Sequence, residues 1–89
     1  MKAVITVIGQ DKIGIIYNVS SVLAEYDVNI LDINQTIMQD LFTMIMVVDT
    51  SSMPVSFEEI QKKLEEKGNE IGVNIRIQHE GIFNAMSEL

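Results

Sequence analysis

A chain of 89 residues, 47% of them hydrophobic, is long enough for one core and too apolar to stay disordered, yet it buries only about 60–65% of its unfolded surface and is marginal alone. It has no cysteine, which fits the cytoplasm and removes disulfides and thiol nucleophiles, so oligomerisation is the expected source of further burial. A net charge of −7 with six dispersed Lys and Arg supplies no basic footprint for nucleic acid or an anionic membrane, and no apolar run nears the roughly 20 residues of a membrane span.

The N-terminus has no signal-peptide pattern and runs directly into a strand, Lys2 to Ile8. Ala3, Ile5 and Val7 lie on one face and Val4, Thr6 and Ile8 on the other, so both faces are largely apolar, as in a central strand. Gly9 to Gly14 reads as a turn in which Asp11 is placed to cap the next element. Ile15 or Ile16, Val19, Val22, Leu23 and Tyr26 recur at helical spacing, which predicts a helix from about Ile13 to Tyr26, with Asp27 turning the chain.

Val28 to Gln39 predicts a second strand, with Leu31, Ile33, Gln35 and Ile37 on one side and a more polar opposite side, as near a sheet edge. The tight Gln39-Asp40 connection leads into an antiparallel third strand, Leu41 to Asp49, again apolar on both faces. After a loop with the only proline, Pro54, the run Ser56-Phe57-Glu58-Glu59 matches a capping box for a second helix carrying Phe57, Ile60, Leu64 and Ile71 on one face. Lys67 suits its last turn and Gly68 its C-terminal cap. Val73 to His79 alternates cleanly and predicts an edge strand, and Ile82, Phe83, Met86 and Leu89 mark a short amphipathic tail helix.

The element order βαββαβ predicts an α+β, ferredoxin-like fold, one domain over residues 1–89, with antiparallel sheet order 4-1-3-2 and a short C-terminal helix. That order makes the first and third strands central, in agreement with their apolar faces. Both helices cover one face of such a sheet. The other needs cover from the tail helix, a second subunit, or both.

The candidate site is the first strand–helix connection, Gly9, Gln10, Asp11, Lys12, Ile13 and Gly14, with Ile15 at the helix start. A helix N-terminus offers unpaired N–H groups to a carboxylate or phosphate, a glycine permits close approach, Asp11 could accept from an ammonium, and Lys12 could attract an anion. The bland alternative is an ordinary turn capped by Asp11. His79 is the only histidine and reads as a strand-end residue, so no metal site and no hydrolytic triad is expected. The acidic residues of the second helix read as a solvated face, and Met38, Met44 and Met46 as core or interface filler. The single arginine, Arg76, lies outside the first loop, where acylphosphatase-like catalysis would want one, and the central strands carry only one aromatic, Phe42, where an RNA-binding sheet would want several.

The run Val7-Ile8-Gly9-Gln10-Asp11-Lys12-Ile13-Gly14-Ile15-Ile16, an amphipathic helix, and then Asp27-Val28-Asn29-Ile30-Leu31-Asp32-Ile33 resembles the ACT domain. The nearest likeness is to free-standing bacterial ACT proteins related to the glycine cleavage system repressor, whose end the tail from His79 to Met86 is similar to. The resemblance implies a regulatory module without catalysis or cofactor that binds a small ligand, often an amino acid, as a homodimer. It implies a ligand held by Gly9, Asp11, Ile13 and Gly14 of one subunit and by Asn29 and Ile30 of its partner. Many members are joined to an enzyme or DNA-binding domain. An unidentified regulated protein is a further partner that the resemblance allows. The alternative is a ligand-free interaction module.

Overall fold

The computed structural model describes residues 1–82. Four strands form one antiparallel sheet: β1 (Lys2–Gln10), β2 (Asn29–Met38), β3 (Leu41–Asp49) and β4 (Val73–His79). Their order is β2-β3-β1-β4, the expected 4-1-3-2 read from the other edge. Two helices, α1 (Ile15–Glu25) and α2 (Phe57–Ile71), pack on one face. A further helical turn begins at 80–82, and the expected tail positions Phe83, Met86 and Leu89 lie outside the described residues.

Alternation decides which side chains enter the core. Ala3, Ile5 and Val7 of β1 stand opposite Val48, Met46 and Met44 of β3, and all six are fully buried. Val19 and Leu23 of α1 and Ile60 and Leu64 of α2 close over them. Burying each of these Val, Leu, Ile and Met side chains contributes about 1.5–3 kcal/mol. On the sheet's other face Ile8, Leu41 and Ile45 remain 39–49% exposed, the apolar stripe that the topology predicts.

Several boundaries differ from expectation. β1 runs on through Gly9 and Gln10, which pair with Phe42 and Leu41, so the first two residues of the expected turn are strand. β2 carries a bulge: Ile30 faces Val48 and Asp32 faces Val47, leaving Leu31 as the extra residue. Ile30 therefore joins Ile33, Gln35 and Ile37 on the helix-covered side in place of Leu31. Helix α2 continues past Gly68 to a left-handed Gly72 (φ 79°), whose N–H donates to the Gly68 carbonyl at 2.8 Å. Gly68 is inside the helix because β4 presses against it: a Cβ there would sit 2.6 Å from the Val73 carbonyl oxygen. Lys67 is accordingly one turn short of the helix end, and its ammonium lies 3.1 Å from Glu70. At the N-terminal end the Ser56 hydroxyl accepts from the Glu59 N–H at 3.1 Å, half of the expected capping box.

Candidate functional site

The loop between β1 and α1 is fixed at both ends. At its start the Asp11 N–H donates to the Asp40 carbonyl at 2.7 Å. Asp40 belongs to the β2–β3 hairpin turn, where Gln39 and Asp40 both have positive φ (50° and 69°), as a two-residue type I′ turn requires. At its end Gly14 caps α1 in a left-handed conformation (φ 91°) that side chains adopt at a cost. The Gly14 carbonyl accepts from the Asn18 backbone N–H at 2.9 Å and from Asn18 Nδ2 at 2.7 Å. Gly14, and not Asp11, is thus the N-cap, and α1 begins at Ile15 instead of Ile13. The hairpin carbonyl holds Asp11 three residues too early to cap, and its side chain is left exposed.

This loop walls a cleft of about 370 Å3. The loop contributes Asp11, Lys12 and Gly14, α1 contributes Ile15, Ile16 and Tyr17, β2 contributes Gln35 and Ile37, and β3 contributes Phe42. Four of the expected site residues, Asp11, Lys12, Gly14 and Ile15, therefore converge. Gly9 does not line the cleft. It serves strand packing, since a Cβ there would meet Val73 Cγ1 at 2.7 Å. Gln10 is paired in the sheet and Ile13 is fully exposed outside the cleft. Asn29 and Ile30 lie at the far end of β2, beside Asp49 and Val48, whereas Gln10 lies beside Leu41, which pairs with Met38. Nine residues of strand span about 30 Å, too far for one chain to bring both ends to one ligand.

Ile16, Tyr17, Gln35, Ile37 and Phe42 were not singled out from the sequence. A signal for two of them was present. A two-residue turn at Gln39-Asp40 sets Met38 opposite Leu41 and therefore Ile37 opposite Phe42.

The electrostatics of the two helix starts differ. The α2 N-terminus has Ser56 as a side-chain cap and Glu58 and Glu59 in its first turn. The α1 N-terminus has no side-chain cap and no acidic residue in its first turn, so its partial positive charge is open to the cleft side. Lys12 extends toward the other helix: its Nζ lies 2.8 Å from where a Gly72 Cβ would be, at the C-terminal end of α2, where a cation is favoured.

Other polar features lie elsewhere. His79 stacks on Phe57 with centroids 3.9 Å apart and rings 20° from parallel, and its Nδ1 is buried without a partner among the described residues. The Asp49 carboxyl is held below its ordinary pKa by the Ser51 hydroxyl and backbone N–H, and it sits at the end of the sheet away from the cleft. A groove of about 250 Å3 between α2 and β4, with Glu65, Asn69 and Arg76 along it, shares no residue with the cleft. Among the described residues no three His, Asp or Glu side chains group as metal ligands, and no helix is long and apolar enough to cross a membrane.

Comparison with known proteins follows the same pattern. The ACT domain family model matches residues 2–78. A UPF0237 protein of Clostridium acetobutylicum is 61% identical over 89 residues, the whole of both chains. An ACT domain protein from Streptococcus pneumoniae superposes with a TM-score of 0.82 at 42% identity, covering 93% of each chain. The regulatory subunit of aspartate kinase from Thermus thermophilus, in its ligand-free form, gives 0.67 at 26% identity over 86% of this chain and 50% of that one. A candidate glycine cleavage system transcriptional repressor gives 0.73 at 22% identity over 86% of this chain and 44% of that one, a likeness of fold.

Proposed function

Because the chain belongs to the ACT domain family, we propose that it is a non-catalytic, cytoplasmic regulatory module that works as a homodimer and binds an amino acid in the cleft beside the Asp11–Gly14 loop. The observation that carries this reading is the meeting of two opposite electrostatic ends on one cleft. The uncapped α1 N-terminus suits a carboxylate, and the exposed Asp11 suits an ammonium. Both belong to a loop whose geometry is held by the hairpin and by Gly14, so little ordering is left for the ligand to drive.

The homodimer part of the proposal is supported by the edge of the sheet. β2 is long, exposed at every position but Ile30, and carries Leu31, Ile33 and Ile37, each 41–56% exposed. Exposed Ile16 and Tyr17 of α1 adjoin Ile37 across the cleft, extending this apolar border. Two-fold antiparallel pairing of β2 with its copy would set the Asn29 end of one chain against the Met38 end of the other. That arrangement is the one in which Asn29 and Ile30 would reach the partner's loop. Liganded and unliganded dimers would then differ at the surface a regulated protein reads.

Thermal melting with each of the amino acids at millimolar concentration tests the reading. At least one should raise the melting temperature by several degrees, since ligand at 100 times its Kd adds about 2.7 kcal/mol. Asp11→Asn should melt within about one degree of wild type and lose that shift. If no amino acid shifts either protein, the ligand-free interaction module takes its place.

A further inference from the structure

The α-carboxylate and α-ammonium are common to the amino acids, so selectivity must come from what surrounds the side chain. We infer that the cleft selects amino acids with apolar, aliphatic side chains, and that Ile37 sets this choice; the inference rests on the amino-acid reading above. The lining divides into two halves. The charged residues, Asp11 and Lys12, both come from the loop. Away from the loop the surface is built from Ile15, Ile16, Tyr17, Ile37 and Phe42, with Gln35 beside them. Ile15 and Phe42 are 2% and 3% exposed, so they form a fixed floor held by the core. Ile37 stands directly opposite Phe42 in the β2–β3 register and is 56% exposed, so it has surface left to cover.

With its α-carboxylate and α-ammonium at the loop, an amino acid turns its side chain toward this half. Gln35 is the single polar side chain that the strands supply there. A carboxylate or ammonium on the ligand would lose water without meeting an opposite charge. Aliphatic carbons would replace water against isoleucine and phenylalanine, tightening binding by roughly fourfold for each methylene fully buried. Ile37 is the position to vary because it lies on an edge strand and half of it is exposed, whereas Phe42 belongs to the core.

Calorimetric titration with alanine, 2-aminobutyrate, norvaline, leucine, serine, aspartate and lysine separates the possibilities. Affinity is expected to climb from alanine through norvaline to leucine, with a gain of tenfold or more across the series, while aspartate and lysine give no heat. Ile37→Ser should lower leucine affinity about tenfold and alanine affinity less than twofold. Ile37→Val, which keeps the β-branched shape, should weaken leucine in the same direction by a smaller factor and covers the case in which Ile37→Ser alters assembly. Serine, aspartate or lysine binding as tightly as norvaline overturns the side-chain inference and leaves the amino-acid reading standing. Equal loss of alanine and leucine in both variants overturns the role of Ile37. Silence from every amino acid removes both readings together.

Discussion

At the scale of single residues, backbone sign explains more than side-chain type. Asp27 holds φ 57° at the end of α1, where the Val28 N–H donates to the Leu23 carbonyl at 2.9 Å and the Asp27 N–H to the Ala24 carbonyl at 3.3 Å. This is a Schellman closure, whose left-handed position glycine usually fills. An L-residue there costs about 1–2 kcal/mol, and glycine returns roughly 0.5–1 kcal/mol of that as unfolded-state entropy. Asp27→Gly should therefore stabilise the fold by about 0.5 kcal/mol, read as a higher urea midpoint at unchanged slope. A lower midpoint would mean that the Asp27 side chain contributes more than its backbone strain costs. Asp11 is likewise kept from the cap position by its backbone. Residue preference ranks Asp above Gly at an N-cap. The long-range bond from the Asp11 N–H to Asp40, invisible along the chain, moves the helix start to Gly14.

At the scale of elements, helical periodicity located both helices and strand alternation located all four strands. It failed where a neighbour intervened. Nothing in the repeat of β2 announces that Leu31 is a bulge, because the register shift is imposed by pairing with β3. Gly68 is the sharper case. Glycine near a helix end reads as a terminator, yet here it is a point where α2 packs directly on the backbone of β4. Gly68→Ala should gain about 1 kcal/mol in helix propensity. It would also place a Cβ 2.6 Å from the Val73 carbonyl oxygen and 3.2 Å from Ile75 Cγ1. That carbonyl belongs to a paired strand and cannot swing aside, so overpacking wins, with a net loss of about 1–3 kcal/mol. Denaturant melting of Gly68→Ala checks the sign. A stabilised variant would show that β4 yields easily and that the α2–β4 contact is looser than its geometry.

At the scale of the whole molecule, the strand order was legible because two strands apolar on both faces must lie inside the sheet, and β1 and β3 do. The cleft was half legible: its loop has a glycine-bracketed signature, whereas Gln35, Ile37 and Phe42 reach it only through hairpin register. The proposed dimer decides whether Asn29 and Ile30 belong to the site at all. Ile33 is the residue on which to test it. It lies near the middle of β2, is 41% exposed, and in a two-fold antiparallel pairing would lie close to its own copy. Lysine is a common protective residue on free edge strands, so Ile33→Lys should leave the subunit folded. Across the two-fold axis it would set two ammonium groups near each other, where like charges are destabilising. Light scattering after size exclusion should then report about half the wild-type mass, and the amino-acid-induced melting shift should disappear with it. A variant that keeps both its mass and its shift would exclude β2 as the seam and return Asn29 and Ile30 to an ordinary strand end. A monomer that still shows the shift would place the whole binding site within one chain, on the cleft beside Asp11.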